Sequence, residues 1–285
     1  MHNNGHISWW RRLQNAVMIG AAASTAILVT APLLAIFVYL VLRGATSLNW
    51  AFLTHRPTSV GEAGGGMGNA IVGSGIILGI ASLIGVPIGV GAGTYIAEYG
   101  RGALAQVVRF TADLLNGVPS IVIGIAVWAL IVVRYKFSAF AGGVALGVMM
   151  IPTITRSTEE MLLMVPRAVR EAALGLGIAR WRSTLSITLR TAMPGVITGI
   201  MLAFARVAGE TAPLLFTAFG NAFWNFNPLQ PTAALPLQIY TYANSPYDDW
   251  YRQAWAGALV LIILIVGTVA AVRLLAARNT FQASR

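Results

Sequence analysis

The chain has 285 residues, of which 57% are hydrophobic and only 10% are charged, whereas a soluble domain carries about 25% charged residues. Its formal net charge of +10 indicates contact with anionic lipid rather than nucleic acid, because no soluble domain is large enough to hold a basic patch. The sequence contains no cysteine, which excludes disulfides, thiolate metal sites and cysteine nucleophiles.

Long uncharged stretches predict the fold class. A helix needs roughly 20 apolar residues, at about 1.5 Å each, to cross the hydrocarbon core. Helices are also the form in which such long apolar runs satisfy their backbone groups in lipid. We therefore predict an all-α, polytopic membrane protein with six transmembrane helices, over residues 16–42, 69–96, 118–134, 138–156, 194–218 and 253–275.

The basic residues predict the orientation of the chain. With a cytoplasmic N-terminus, one of the 19 basic residues (Arg206) lies in the fifth span, five are external and the other thirteen are cytoplasmic. The external ones are Arg43, Arg56, Arg134, Lys136 and Arg252. The positive-inside rule therefore favours both termini in the cytoplasm. The first apolar run is about twice as long as a signal-peptide core and lacks a clear cleavage site, so we expect it to remain as a helix.

The second span carries glycines that predict close helix packing. Gly75, Gly79, Gly85, Gly89 and Gly93 are separated mostly by four residues, and this spacing places small residues on one helix face, where another helix can approach. A phosphate-cradling nucleotide loop would need a strand, a Gly-rich turn and a Lys-Ser/Thr pair. The chain has no such motif, so we expect it to bind no ATP by that route and no cofactor.

The middle of the chain predicts a break and a hairpin. Residues 98–116 are mixed polar and apolar, as in an interfacial helix, and Asn116-Gly117-Val118-Pro119 predicts a break before the third span. The charges at Arg134 and Lys136 mark a very short external turn, so the third and fourth spans should form an antiparallel hairpin. The aromatic residues of the external segment 219–252 are typical of the membrane interface or, alternatively, of contact with an external partner.

The charged loop over residues 157–192 predicts two short cytoplasmic helices. Pro166 can open the first one, and Gly175 and Gly177 can end it, because glycine tolerates the left-handed conformation that closes a helix. A second helix should cover Trp181 to Leu189. The apolar residues of the loop form a surface that another protein could cover; the alternative is an ordinary solvated loop. The apolar set is Ala172, Ala173, Leu174, Trp181, Leu185 and Ile187.

The spacing of Glu171-Ala172-Ala173, Gly177, Ile187 and Leu189 resembles the EAA loop of bacterial ABC importer permeases. In that family a proline usually follows the leucine directly, whereas this chain has Arg190 there. Further motifs resemble the phosphate-specific permeases, and one of them, Ala234-Leu235-Pro236-Leu237-Gln238-Ile239-Tyr240, resembles their A-type subunit. The others include Gly65-Gly66-Met67-Gly68, Gly85-Val86-Pro87-Ile88-Gly89, Tyr95-Ile96-Ala97-Glu98-Tyr99, Asn116-Gly117-Val118-Pro119-Ser120-Ile121-Val122 and Gly209-Glu210-Thr211-Ala212-Pro213-Leu214.

The resemblance implies a type I ABC importer permease fold with a core over 67–276, which includes the coupling loop. Residues 1–66 would hold a tail, the first span and an external segment, and 277–285 a cytoplasmic tail. The implied function is phosphate import across the bacterial cytoplasmic (inner) membrane. The implied partners are a C-type second permease subunit, two ATP-binding subunits and an extracytoplasmic phosphate-binding protein. ATP hydrolysis would belong to the partner ATPase, so this chain would not be an enzyme.

Two charges in the fifth span are candidates for the substrate pathway. A charge at mid-bilayer costs about 2.5–3.5 kcal/mol, so Arg206 and Glu210, four residues apart on one predicted helix face, should face a bundle interior or a water path. The guanidinium suits a tetrahedral oxyanion, and the carboxylate could accept a hydrogen bond from protonated phosphate while repelling sulfate. The alternative is a buried ion pair that fixes helix packing.

Other interpretations stay open at this point. Arg156, at the cytoplasmic end of the fourth span, could assist as an exit-side charge or act as a positive-inside anchor. The substrate could be another oxyanion, such as molybdate, tungstate or sulfate. A secondary anion transporter or channel would show internal symmetry, which is not visible in the sequence. An intramembrane enzyme using Glu210 would need a second catalytic group at membrane depth.

Overall fold

The computed structural model describes residues 9–59, 62, 64–100 and 102–282. In this part of the chain the regular structure is helical, and the β contact it contains is an isolated bridge between Phe219 and Thr232. The first half of the chain forms α1 (Trp9–Gly44), a 3-10 turn (Ala45–Ser47), α2 (Trp50–Thr54), α3 (Gly68–Glu98), α4 (Ala103–Gly117), α5 (Ser120–Val127), a π-helical turn (Trp128–Val132) and α6 (Val133–Tyr135). The second half forms α7 (Ala139–Leu163), α8 (Arg167–Gly175), α9 (Arg180–Ser183), a π-helical turn (Thr184–Thr188), α10 (Leu189–Ala208), α11 (Ala212–Thr217), α12 (Leu235–Ala243) and α13 (Asp248–Gln282).

The helices confirm the all-α, multi-span prediction. Within the described ranges, five segments are long and apolar enough to cross a membrane: Trp9–Ser47, Gly68–Glu98, Ala139–Leu163, Arg180–Ala208 and Asp248–Ala276. A sixth crossing is obtained if α4 and the segment Ser120–Tyr135, which are bent by 105°, count as one broken span.

The break between α4 and α5 lies at Val118 and Pro119, where the sequence predicts it. Val118 has φ −72° and ψ 129°, an extended conformation. Proline disfavours the helical conformation in the residue before it, because its ring clashes with that residue's backbone. The bend therefore follows directly from the Val118-Pro119 dipeptide.

The fifth span differs from its predicted bounds. A span over 194–218, separate from a coupling helix ending at Leu189, is wrong, because one continuous helical segment runs over Arg180–Ala208 and stops there. The stop lies at Gly209, a poor helix former, and Pro213 adds to it. In a longer helix this proline would have no N–H to donate to the carbonyl of Gly209, and its ring would clash with that carbonyl. The chain resumes as the short helix α11.

Helices α3 and α7 form the most extensive helix–helix contact within the described residues. A Cβ at Gly89 would lie 2.7 Å from the Cβ of Ile154, and one at Gly93 would lie 2.5 Å from the carbonyl oxygen of Thr155. Gly85 likewise faces Met150. Glycine lets the two backbones approach closely here, which confirms the predicted packing role of these three glycines.

Two other glycines of α3 do not take part in this contact. A Cβ at Gly75 or Gly79 would meet no atom within 4 Å, so the prediction of close helix packing is wrong for them. Gly75 and Gly93 are 18 residues, or about five full turns, apart, so an ideal helix points them in the same direction. The two groups differ in what lies opposite them: Gly75 and Gly79 border a cavity with Phe204 and Leu261, whereas the other three glycines meet α7.

Helix α1 lies at the edge of the bundle. Its buried residues are Leu40 and Gly44, both near its C-terminal end. Gly44 approaches the backbone of Trp255 in α13, and the rings of Tyr39 and Trp255 meet edge to face at 5.1 Å. The remaining apolar surface of α1 is uncovered within this chain, as expected for a helix that faces lipid or another subunit.

The segment between α11 and α12 returns into the bundle. The N–H of Leu235 donates to the Oγ of Ser74 at 2.7 Å, and Ser74 lies six residues, or about 9 Å, inside α3. Ala234 and Leu237 belong to the same buried cluster as Leu146 of α7. The external segment predicted over 219–252 is therefore external only in part.

Candidate coupling surface and translocation site

The first helix of the cytoplasmic loop has the predicted start and end. Pro166 directly precedes α8, and Gly177, with φ 75°, follows its last turn. The N–H of Gly177 donates to the carbonyl of Leu174 at 2.9 Å, and that of Ile178 donates to the carbonyl of Ala173 at 3.2 Å. These two bonds define a Schellman motif, which needs a left-handed residue and therefore favours glycine.

Large apolar side chains on this loop are uncovered. The exposed fractions are 50% for Leu174, 80% for Leu176, 62% for Trp181 and 54% for Leu185. Such a patch on a cytoplasmic loop is typical of a protein–protein contact. The predicted surface is thus exposed at four of its six members, Ala172, Leu174, Trp181 and Leu185.

The residues of the EAA pattern lie in different environments. Glu171 and Ala172 are exposed. Ala173 is only 3% exposed, so its predicted place in the outward surface is wrong: this position of α8 faces inward, and its carbonyl accepts the N–H of Ile178. Ile187 and Leu189 are half-buried. The pattern therefore combines outward positions with positions that hold the loop together.

The second helix of the loop continues without a break into the membrane span. It starts at Arg180, passes through the π-helical turn Thr184–Thr188 and becomes α10. A π-turn carries one extra residue, which allows a helix to change the direction of its side chains and often marks a functional site. A force on the start of this helix therefore acts directly on the fifth span.

Arg170 ties the coupling loop to two membrane helices. Its Nε donates to the carboxylate of Glu98, the last residue of α3, at 2.8 Å. Its Nη1 and Nη2 donate to the carbonyls of Val165 and Leu162, at 3.1 and 2.6 Å, at the C-terminal end of α7. One guanidinium thus joins α8 with the ends of α3 and α7.

A second ionic group joins α4 to α7 near their cytoplasmic ends. Glu159, with a side chain only 5% exposed, accepts from Arg109 at 2.6 Å and from Arg156 at 2.8 Å. Arg156 also pairs with Asp113. The Nε, Nη1 and Nη2 groups of Arg156 all donate to carboxylates. An exit-side role for Arg156 would require it to leave these partners.

Arg206 and Glu210 do not share one helix. Arg206 lies in the last turn of α10 and is exposed, whereas Glu210 follows the end of the helix and is half-buried. The prediction of an i, i+4 pair on one face is wrong, because the helix stops at Ala208. Neither side chain forms an ion pair with any residue that the structure describes.

The depth of this break follows from its neighbours. Val207, Leu214 and Leu146 belong to one buried cluster, and Leu146 lies seven residues, or about 10 Å, from the outer end of α7. Irregular backbone at membrane depth is tolerated only where protein buries it or where it lines a water-filled cavity. The turn with Glu210 therefore lies in protein or on a solute path.

Apart from Arg156, the members of these ionic groups are not predicted from the sequence as functional residues. The sequence does contain a signal for Glu98 and Glu159, because each is a carboxylate near the cytoplasmic end of an apolar span. Their partners Arg170 and Arg109 lie 72 and 50 positions away along the chain. Such distant pairs depend on the tertiary packing of α3, α4, α7 and α8 rather than on local spacing.

Comparisons with known proteins agree with this architecture. The family model described as "Binding-protein-dependent transport system inner membrane component" matches residues 85–280. Among solved structures, an inward-facing MetNI methionine ABC transporter has a chain that is 19% identical with a TM-score of 0.57, covering 77% of this chain and 98% of its own. A bacterial ABC transporter for alginate import is 15% identical with a TM-score of 0.58, covering 94% of this chain and 99% of its own. The fold is thus that of ABC importer permeases.

Closer relatives in sequence carry the name phosphate transport system permease protein PstA. The one from Yersinia pestis is 42% identical over 259 residues, which cover 90% of this chain and 88% of that protein. The one from Haemophilus influenzae is 44% identical over 260 residues, covering 90% and 92%. PstA 1 of Mycobacterium tuberculosis is 36% identical over 281 residues, covering 96% and 91%. The chain therefore belongs to the family of inner membrane components of binding-protein-dependent transport systems.

Proposed function

We propose that this chain is the A-type permease subunit of an ATP-driven importer of inorganic phosphate in the bacterial cytoplasmic membrane. The observation that carries the proposal is its 42–44% identity to PstA permeases over 90% of its length. Residues 67–276 are the permease core of this proposal, and 1–66 and 277–285 flank it. The chain itself is a translocation subunit, and a partner ATPase hydrolyses ATP.

The uncovered cytoplasmic loop supports docking of an ATPase subunit. The exposed leucine and tryptophan side chains of α8 and α9 offer an apolar contact, and Glu171 at its edge offers a charge. In the proposed complex a second, C-type permease subunit completes the pore and two ATP-binding subunits dock below. A phosphate-binding protein delivers the anion from outside. The EAA residues Glu171, Ala172, Ala173, Gly177, Ile187 and Leu189 are the proposed ATPase-coupling set.

The broken fifth span supports a substrate pathway at Arg206 and Glu210. Arg206 has an exposed guanidinium with no ion-pair partner among the described residues, and an unpaired charge within a membrane span marks a functional site by default. Its planar set of donors fits a phosphate oxygen pair. The carboxylate of Glu210 accepts a hydrogen bond from protonated phosphate and repels sulfate, which has no proton to give.

Arg156 has a weaker place in this proposal. Its guanidinium is neutralised by Asp113 and Glu159 in the present conformation. An exit-side contact with phosphate would belong to a conformation in which α4 moves away from α7. The anchor role, in which Arg156 holds α4 to α7, needs no such movement.

Uptake by the complete reconstituted complex tests the proposed function. Proteoliposomes with both permeases, the ATPase and the binding protein are given labelled phosphate, sulfate or molybdate, with and without ATP inside. We expect phosphate uptake that requires ATP. Uptake of molybdate or sulfate instead would assign another oxyanion, and uptake by this chain alone without ATP would assign a secondary transporter or channel.

A further inference from the structure

We propose that Arg170 is a positioning residue through which the coupling loop moves the cytoplasmic ends of α3 and α7, with Glu98 as its partner on α3. This inference rests on the proposed ATP-driven import. It concerns residues outside the EAA pattern, and it assigns a role to the Tyr95-Ile96-Ala97-Glu98-Tyr99 motif, which the proposed function does not use.

The Arg170 guanidinium reaches acceptors on α3, in the last turn of α7 and in the turn that follows α7. It donates to the Glu98 carboxylate at 2.8 Å and to the carbonyls of Leu162 and Val165 at 2.6 and 3.1 Å. The last carbonyls of a helix lack intrahelical donors, so these contacts also cap the end of α7. Only arginine has a rigid fork of donors that serves acceptors in several directions at once; lysine is a point charge.

The pair is too well buried for an ordinary surface salt bridge. The side chain of Glu98 is 8% exposed and that of Arg170 is 22% exposed. Exposed ion pairs contribute little because water screens them, whereas screening weakens with burial. Arg167, at the start of the same helix, is exposed and forms no ion pair with the described residues. The difference singles out Arg170 among the basic residues of α8.

The second coupling helix, which begins with α9, also contacts Glu98. The Nη2 of Arg180 donates to the backbone carbonyl of Glu98, and its guanidinium lies 4.9 Å from the ring centre of Tyr99. A positive charge beside the last carbonyls of a helix is also favourable because of the helix dipole. Both coupling helices therefore contact the end of α3. Arg170 of α8 binds the Glu98 carboxylate, and Arg180 of α9 binds the Glu98 backbone carbonyl.

These contacts give a mechanical path from the loop to the bundle. A displacement of α8 and α9 by an ATPase would pull on Glu98, and the glycine face of α3 transmits this to α7 because the two helices are in close contact at Gly89 and Gly93. Closely packed helices move as units rather than deform. Loss of the Arg170 contacts should therefore leave ATP hydrolysis intact and lower the amount of phosphate transported per ATP.

The test measures phosphate taken up per ATP hydrolysed by complete complexes in proteoliposomes with saturating loaded binding protein. The variants are Arg170→Lys, Glu98→Gln and both together, and Arg167→Lys is the matched control. We expect Arg170→Lys to lower the ratio about tenfold, within the usual range of coupling free energies, and Arg167→Lys to leave it unchanged. The double variant should resemble the single ones, because both changes break one link.

Three outcomes would overturn the inference: an unchanged ratio in Arg170→Lys, additive effects in the double variant, or less assembled complex with a normal ratio. If Arg170→Lys fails to assemble, Glu98→Gln decides the question, because glutamine keeps one acceptor oxygen and the side-chain size while it removes the charge and turns the other oxygen into a donor. A wild-type complex that imports sulfate or molybdate but not phosphate would refute the proposed substrate alone. The ratio is then measured with that anion.

Discussion

Arg156 donates two hydrogen bonds to Asp113 across the contact between α7 and α4, from Nε at 2.7 Å and from Nη2 at 2.5 Å. Its Nη1 reaches Glu159, whose other oxygen accepts from Arg109 at 2.6 Å. The four side chains form an alternating row of two positive and two negative charges. This row holds α4 against α7 through its polar face. The opposite face of α4 is apolar and uncovered at Phe110 and its neighbours.

Glu159 should be the most sensitive member of the row. Its side chain is 5% exposed, and its removal leaves two guanidinium groups without a shared partner. Breaking a largely buried pair from one side costs about 3 kcal/mol. We expect Glu159→Ala to lower the free energy of unfolding by about that amount in heat or denaturant unfolding of the detergent-purified protein.

The neighbouring residue provides the control for this prediction. Glu160 is exposed and forms no ion pair with the part of the chain that the structure describes, so Glu160→Ala should change stability by about 0.5 kcal/mol or less. Asp113→Ala should lie between the two, because its side chain is 53% exposed. Equal effects of the Glu159 and Glu160 substitutions would contradict the assigned row.

The glycine contact between α3 and α7 predicts opposite effects for two glycines of one helix. A Cβ at Gly93 would lie 2.5 Å from the backbone oxygen of Thr155, which cannot move away easily. Gly93→Ala should therefore destabilise the protein by about 1–3 kcal/mol. At Gly91 a Cβ meets nothing within 4 Å, so Gly91→Ala should be neutral or stabilising by up to about 1 kcal/mol, since alanine favours helix. Thermal unfolding of both variants in the same detergent checks the sign.

The end of α8 predicts a coupling defect at Gly177. Its φ of 75° suits glycine, and a side chain there costs about 1 kcal/mol or more in the left-handed conformation. Gly177→Ala should loosen the Schellman motif and lower phosphate uptake per ATP about fivefold, since 1 kcal/mol corresponds to that factor. Gly175 is helical and has an open Cβ position, so Gly175→Ala should keep the wild-type ratio. A Gly177→Ala complex with normal coupling would remove the motif from the mechanism.

The lengths of the apolar runs and the positions of helix-breaking proline and glycine residues predict most of the fold. The spans follow from uncharged runs, the bend at Val118-Pro119 follows from proline, and the end of α8 follows from Gly177. The stop after Ala208 has the same kind of signal, because Gly209 and Pro213 are both poor continuations of a helix. The apolar content of 194–218 masks that signal, since hydropathy measures solubility in lipid and not helical continuity.

Tertiary contacts explain what local patterns could not predict. The division of the α3 glycines depends on which part of the helix meets α7, and the ionic links of Glu98 and Glu159 depend on helices distant in sequence. The π-helical turn at Thr184–Thr188 also lacks a local signature, because a single extra residue in a helix changes neither hydropathy nor charge spacing. The sequence therefore predicts which residue types form the candidate site, but not which residues they pair with.

Two charges, Arg206 and Glu210, lie where the fifth span is interrupted, and substitution of either should slow phosphate uptake. Removing the charge-assisted hydrogen bonds of Arg206 would cost about 1.5–3 kcal/mol of anion stabilisation, which corresponds to about a tenfold or larger loss of uptake. Arg206→Ala should show this loss, and Arg206→Lys, which keeps the charge without the fork, should lie between it and the wild type. Glu210→Gln should slow uptake as well, because an amide replaces one acceptor oxygen by a donor. ATP-driven phosphate uptake by complexes present in equal amount is the measurement, and wild-type rates in both Arg206→Ala and Glu210→Gln would exclude these side chains from the pathway.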